Sequence, residues 1–322
     1  MAREALDARL LRVNRRAMHE GSARAILAAL LANLGIAVAK LVGWTFTGSA
    51  AMLAESIHSL ADTGNQGLLF LGGRIARRAP DREHPFGYGH ERYFWAFVVA
   101  LVLFSLGGLF SIFEGVEKLR HPAPVESPEW ALGILAVAIV LESLSLRTAM
   151  REARPHLGSA SWWSFIRRSK SPELPVVLLE DTGALIGLAF ALSGVGLAAL
   201  TGDSRWDGLG SLAIGVLLVA IAYVLSVETR SLLIGEAASP AQVEAIERAI
   251  ASSADVQRLI HLRTQHVGPD EILVAAKVAF PADLDMRRLA AAIDEAERRI
   301  RAVVPAARWI FLEPDVDRGT AS

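Results

Sequence analysis

The sequence predicts a membrane α-helical protein, six transmembrane helices followed by an α+β, ferredoxin-like (αββαβ) domain. Three observations predict it. The 322 residues combine 52% hydrophobic and 21% charged side chains at a mean hydropathy of +0.37, too apolar for a soluble enzyme and too charged for an all-membrane chain. Apolar runs of the ~20 residues needed to cross hydrocarbon fill the part before about residue 230. The remaining stretch, about ninety residues, alternates charged and apolar groups as a soluble domain does.

Taken in order, residues 1–24 carry acidic as well as basic side chains and no apolar core, the pattern of a cytosolic arm rather than a cleaved signal peptide. A transport domain over 25–230 holds the six expected spans: Ala25–Phe46, Ala50–Gly73, Tyr93–Val116, Trp130–Leu146, Pro175–Leu200 and Leu209–Val227. Arginine and lysine crowd the arm, the second-to-third connection (Arg74, Arg77, Arg78, Arg82, Arg92) and the fourth-to-fifth (Arg151, Arg154, Arg167, Arg168, Lys170), whereas the opposite connections hold only Lys118, Arg120 and Arg205. By the positive-inside rule both termini are cytoplasmic. Trp162 and Trp163 beside Arg167, Arg168 and Lys170 read as an interfacial anchor.

Residues 231–315 read as a cytoplasmic domain, with 316–322 as a tail. Ser239-Pro240 opens a helix to about Ser253; two alternating segments flank Gly268-Pro269-Asp270; Asp283–Val303 is amphipathic; Arg308–Leu312 is a last strand. A domain of about eighty residues buries little core alone, so pairing with its own copy, a homodimer, is expected.

Net charge of -1 lacks the basic footprint of a nucleic-acid binder, so no such partner is expected. The absence of cysteine excludes disulfides, thiolate metal sites and cysteine nucleophiles. Any metal must be held by His, Asp, Glu, backbone or water.

The second span departs from an ordinary membrane helix. Glu55, His58, Asp62, Asn65 and Gln66 superpose on one face at 3.6 residues per turn. Ionisable groups at bilayer depth cost about 2.5 kcal/mol or more each, so such a stripe faces a bundle interior or aqueous cavity and marks an ion or proton path. His58 and Asp62, four residues apart, bring an imidazole and a carboxylate to one side of the helix, a pair suited to zinc and, with more oxygen donors, to manganese, iron or cobalt. Helix packing through hydrogen bonds is the plainer use of such a pair.

The fifth span offers Glu180 and Asp181 near its N-terminal end, where the dipole favours acids. Asp181 is expected as a ligand, with Glu180 its competitor or a proton carrier. Glu142 in the fourth span is a proton-relay candidate, Lys40 is placed to pair with a carboxylate or extend to the outer face, and Asp207 reads as a helix cap. Asp81, His84 and His90 lie in a glycine-rich loop, and His261, His266, Asp270, Glu271 and Glu313 are scattered through the tail.

GSAAMLAESIHSLADTGNQ, the loop DREHPFGYGHERYFWAF and VETRSLLIGEAAS together resemble the cation diffusion facilitator family of divalent-metal/proton antiporters, over Gly21–Asp315. The resemblance implies six helices with cytoplasmic termini, a cytoplasmic αββαβ domain and a homodimer. It implies a site on which His58 and Asp62 match the second-span motif and Asp181 the acid of the fifth-span His-xxx-Asp motif. Val177 stands at the histidine position, so the chain resembles a branch in which Glu-Asp replaces that motif, with Glu180, Asn65 or water completing the shell. Asp81 and His84 match a further loop site of some relatives, while Tyr88 replaces its last histidine.

The expected function is efflux of a divalent cation, Zn2+ first, in exchange for protons that titrate His58, Asp62 and Glu142, with Mn2+, Fe2+ or Co2+ as alternative cargo. No catalytic chemistry and no cofactor are expected. The partners are protons, divalent ions, the lipid bilayer and a second copy; the location is the cell inner membrane. An intramembrane metal-dependent hydrolase and a metal-gated channel are the readings from other classes.

Overall fold

The computed structural model describes residues 33–158 and 161–317. The N-terminal arm, the start of the first span and residues 318–322 lie outside them. Helix α1 covers residues 33–47, and α2 covers Ala50–Ile75. A 30-residue helical stretch then runs Glu91–Arg120 as α3 (Glu91–Val98), a π-helical segment (Val99–Phe104) and α4 (Ser105–Arg120). There follow α5 (Pro128–Leu157), the short α6 (Trp162–Arg168), α7 (Glu173–Thr201) and α8 (Arg205–Ile234). Four of the described stretches are long and apolar enough to cross a membrane: Glu91–Arg120, Pro128–Pro155, Glu173–Thr201 and Arg205–Ile234. At 26 residues α2 has the length, and its apolar Leu60 and Leu71 are exposed opposite the polar stripe.

Two expected boundaries are corrected. The fourth helix does not stop at Leu146 but continues to Leu157, because hydropathy sees only the apolar part of a helix whose hydrogen bonds carry on through the polar RTAMREARPHL. Likewise the sixth does not end at Val227: Glu228, Thr229 and Arg230 are helical to Ile234.

The described residues divide into two compact units: residues 33–68, Val99–Gly158 and Val177–Val224; and Leu69–Val98 with residues 161–176 and 225–317. In the first, α1 and α2 meet at Gly48, whose φ of +59° lies in the left-handed region that glycine tolerates. Asp207, expected to cap its own helix, instead caps α2. Its carboxylate accepts from Ser49 Oγ at 2.6 Å and from the backbone N–H groups of Ala50 at 2.7 Å and Ala51 at 3.2 Å. Orphan amides at a helix start must find acceptors, and here tertiary structure supplies one from 157 residues away.

The second unit contains α9 (Pro240–Ala251), β1 (Arg258–Gly268), β2 (Glu271–Ala279), α10 (Met286–Val303) and β3 (Ala307–Asp315). Ser239 caps α9 and Pro240 takes its first turn, as the sequence predicts, and Gln242 completes a capping box with Ser239. The sheet has the order β1-β2-β3, with β1 antiparallel and β3 parallel to β2. Ile272, Val274, Ala276 and Val278 alternate into a core with Ile246, Ile250 and Ile300 of the helices. The loop before α3 belongs to this unit: a Cβ at Gly89 would stand 2.4 Å from the Val267 carbonyl, so only glycine permits that approach. Arg92 pairs with Glu173 and, at 3.5 Å, with Asp270.

Candidate metal site

The α2 stripe is turned inward. Glu55, His58, Asp62 and Asn65 are each at most 6% exposed, and Gln66 is half-buried. A period of 3.6 set against lipid on one side forces this result, since four polar groups on one face can be sheltered together or not at all. His58 Nδ1 stands 3.4 Å from Asp62 Oδ1, and Phe104 of the π-helical segment lies beside the imidazole at 6.2 Å between ring centroids.

The two acids of α7 diverge, as neighbours about 100° apart on a helix must. Glu180 faces α2: its Oε2 accepts from Asn65 Nδ2. Asp181 faces α5, where its Oδ2 accepts from Ser145 Oγ at 3.0 Å. Glu142, one turn before Ser145 on α5, is buried as well. The structure therefore brings His58 to Asp62, and Asn65, one turn further along α2, to Glu180. Asp181 joins Ser145 instead. Ser145 escaped the sequence reading; its spacing of three from Glu142 was the available signal.

Buried polar atoms almost always have partners. Here His58 Nδ1 and Nε2, Asp62 Oδ1, Asn65 Oδ1 and Glu180 Oε1 have no hydrogen-bond partner among the described residues. These are donor atoms of the classes that bind zinc and neighbouring divalent ions. Among the described residues no three His, Asp or Glu side chains are oriented to touch one ion together. Capturing one requires side chains to change orientation.

The other named residues stand apart from this cluster. Asp81 Oδ1 accepts from the backbone N–H of Glu83 at 3.0 Å and of His84 at 2.7 Å, and Oδ2 from Tyr88 Oη at 2.6 Å. The Tyr88 hydroxyl, then the His84 amide, hold its carboxyl below the ordinary range. His84 lies over the Tyr88 ring at 4.3 Å. The loop acid is thus engaged as a turn acceptor. In the tail, His261 is exposed and His266 buried, as strand alternation predicts. Asp270, Glu271 and Glu313 pair with Arg92, Arg308 and Lys277 respectively.

Residues 26–234 match the family described as cation efflux transmembrane domain. The chain is 37% identical over 243 residues to the proton-coupled zinc antiporter SLC30A9, mitochondrial, of Xenopus laevis, covering 75% of this chain and 44% of that protein. It is 31% identical over 263 residues to metal tolerance protein C4 of Arabidopsis thaliana, covering 80% and 57%. It is 28% identical over 256 residues to the cation-efflux pump FieF of Cronobacter sakazakii, covering 78% of each. The chain spans about half the length of the vertebrate relatives it matches. A polar stripe sheltered among membrane-length helices and a family match over most of those helices agree: the chain belongs to the cation efflux family.

Proposed function

We propose that this chain is a secondary transporter that moves a divalent cation, zinc first, out of the cytoplasm in exchange for protons. The observation that carries the reading is the buried Asn65–Glu180 contact one turn from the His58–Asp62 pair, with donor atoms left without hydrogen-bond partners. A relative named as a proton-coupled zinc antiporter supports the same reading.

His58, Asp62 and Glu180 are the primary ligands. A divalent ion can be held by the imidazole and the carboxylates only once they have given up their protons. Metal binding and proton release are thereby one event, and protonation from the other side expels the metal. Asp181, with Ser145 and Glu142, forms a neighbouring proton-carrying group that enters the metal shell when Ser145 releases it. The set is rich in oxygen, so manganese, iron and cobalt are the alternative cargo. Asp81 and His84 are not assigned to transport.

The same reading takes six spans over 25–230 with cytoplasmic termini, a cytoplasmic ferredoxin-like dimerisation domain over 231–315, and the bacterial inner membrane. Half-exposed Phe311 on the sheet face opposite the helices suits a homodimer contact. The test is zinc flux into proteoliposomes under an imposed pH gradient. Saturable flux that collapses with the gradient is expected; gradient-independent flux at pore-like rates would replace the antiporter with a channel.

A further inference from the structure

An ammonium group at bilayer depth is costly to dehydrate, and long basic side chains usually extend to water instead. Lys40 of α1 does not. It is fully enclosed, and its Nζ donates to Glu55 Oε2 at 2.9 Å and to Ser59 Oγ at 2.7 Å, both partners being buried on α2. The second carboxylate oxygen of Glu55, Oε1, has no partner among the described residues. Gly187 of α7 makes room for it, since a Cβ there would stand 2.6 Å from Oε1. Glu55 lies one turn before His58 on the same face, and Ser59 is the next residue after it.

We propose that Lys40 is a tethered stand-in for the transported cation: its ammonium occupies a second carboxylate station, Glu55, next to the His58–Asp62 pair, which a divalent ion would otherwise enter. The proposal rests on reading His58, Asp62 and Glu180 as a cation site. Replacing a buried ion pair by apolar side chains is often neutral or stabilising, so stability gives no reason to keep this one in a membrane. Charge balance does. An ammonium and a metal ion compete for the same carboxylate, but the lysine cannot leave. It cancels the charge of Glu55 beside the site, keeping bound metal weakly enough held to be released. Removing Lys40 leaves a bare carboxylate one turn from His58 and tightens metal binding. Removing Glu55 leaves a bare ammonium there and weakens it.

The opposite signs are the test, because a merely structural pair loses function equally from either side. Zinc binding to the purified full chain is measured by equilibrium dialysis against a competing chelator for wild type, K40M, K40R, E55Q and K40M/E55Q. With charges one turn apart in a partly dehydrated site, K40M is expected to lower the zinc Kd about tenfold or more and E55Q to raise it by a similar factor. K40R and the double variant stay within about threefold of wild type, the charge balance being restored in both. Should K40M not fold, the step from E55Q to K40M/E55Q carries the same prediction, a gain of about tenfold. Unchanged affinity in both single variants, or equal loss in both, overturns the proposal. Absence of zinc binding in the wild type removes the cation site itself, a separate failure that takes this inference with it.

Discussion

Two helix contacts inside the membrane unit are built on opposite plans. Between α4 and α8 the backbones touch. A Cβ at Gly115 would stand 2.7 Å from the Leu212 amide, and one at Gly215 would stand 2.7 Å from the Gly108 carbonyl. The polar groups there close on the helices themselves, Ser111 Oγ on the Gly107 carbonyl at 2.9 Å and Ser211 Oγ on the Ser111 carbonyl at 2.9 Å. Between α2 and α7 the contact runs through long side chains, and several of their atoms lack partners. Small residues let helices approach where no hydrophobic force separates protein from lipid. Such a seam has nothing to exchange, whereas the polar contact has buried donor atoms without hydrogen-bond partners to offer. The difference separates a fixed spine from a site.

The comparison breaks first at the spine. Gly215→Leu is expected to prevent assembly, since the added atoms meet the Gly108 and Ile112 backbone as well as the Ile112 side chain; overpacking costs ~1–3 kcal/mol even where neighbours can shift. Detergent-extracted protein should lose its monodisperse size-exclusion peak. A normal peak with normal flux would mean that the seam is loose.

At the site the order reverses, with stability kept and transport lost. Asp62→Ala should abolish zinc flux in proteoliposomes while melting within a few degrees of wild type, since it removes a buried carboxylate whose Oδ1 has no hydrogen-bond partner among the described residues. Unchanged flux defeats the assignment of that residue. Glu180→Gln and Asp181→Asn sharpen the picture. The first should raise the zinc Kd by about two orders of magnitude and the second by about one, as expected for a ligand against a neighbouring group. The reverse ranking would move the site towards α5.

The smallest effect lies outside the membrane. Burial holds the His266 imidazole below its ordinary value of 6.5. Between the folded and unfolded values the unfolded chain binds a proton that the folded chain refuses, so the stabilisation is complete above about 6.5 and is lost as pH falls below it. Thermal unfolding of the C-terminal domain, followed by Trp309 fluorescence in the full chain, should shift down between pH 7 and 5. His266→Gln should flatten that slope and leave the proposed metal site untouched.

The glycines of α4 and α8 were visible in the sequence as residues but not as a seam, because nothing local says which small residues will meet. The stripe of α2 was fully legible: period 3.6 put Glu55, His58, Asp62 and Asn65 on one face, and lipid leaves such a face only one place to go. The order of elements in the tail was legible too, from Ser239-Pro240, the alternation of β2 and the amphipathic run of α10. Helix ends were less so. Hydropathy reports solvent preference, whereas a helix ends where its hydrogen bonds end, which is why α5 and α8 outrun their apolar cores.

Local periodicity and composition therefore determined that this chain crosses a membrane, that α2 hides a polar face and that a small α+β domain follows. Tertiary structure alone decided that Glu180 rather than Asp181 meets that face, that Asp207 caps α2 instead of its own helix, and that Lys40 closes on Glu55 and not on water. Each of those three turns on the direction of a side chain between two helices, and a rotation of about 100° per residue, which spacing cannot anchor to a neighbour, fixes it only once the helices have packed.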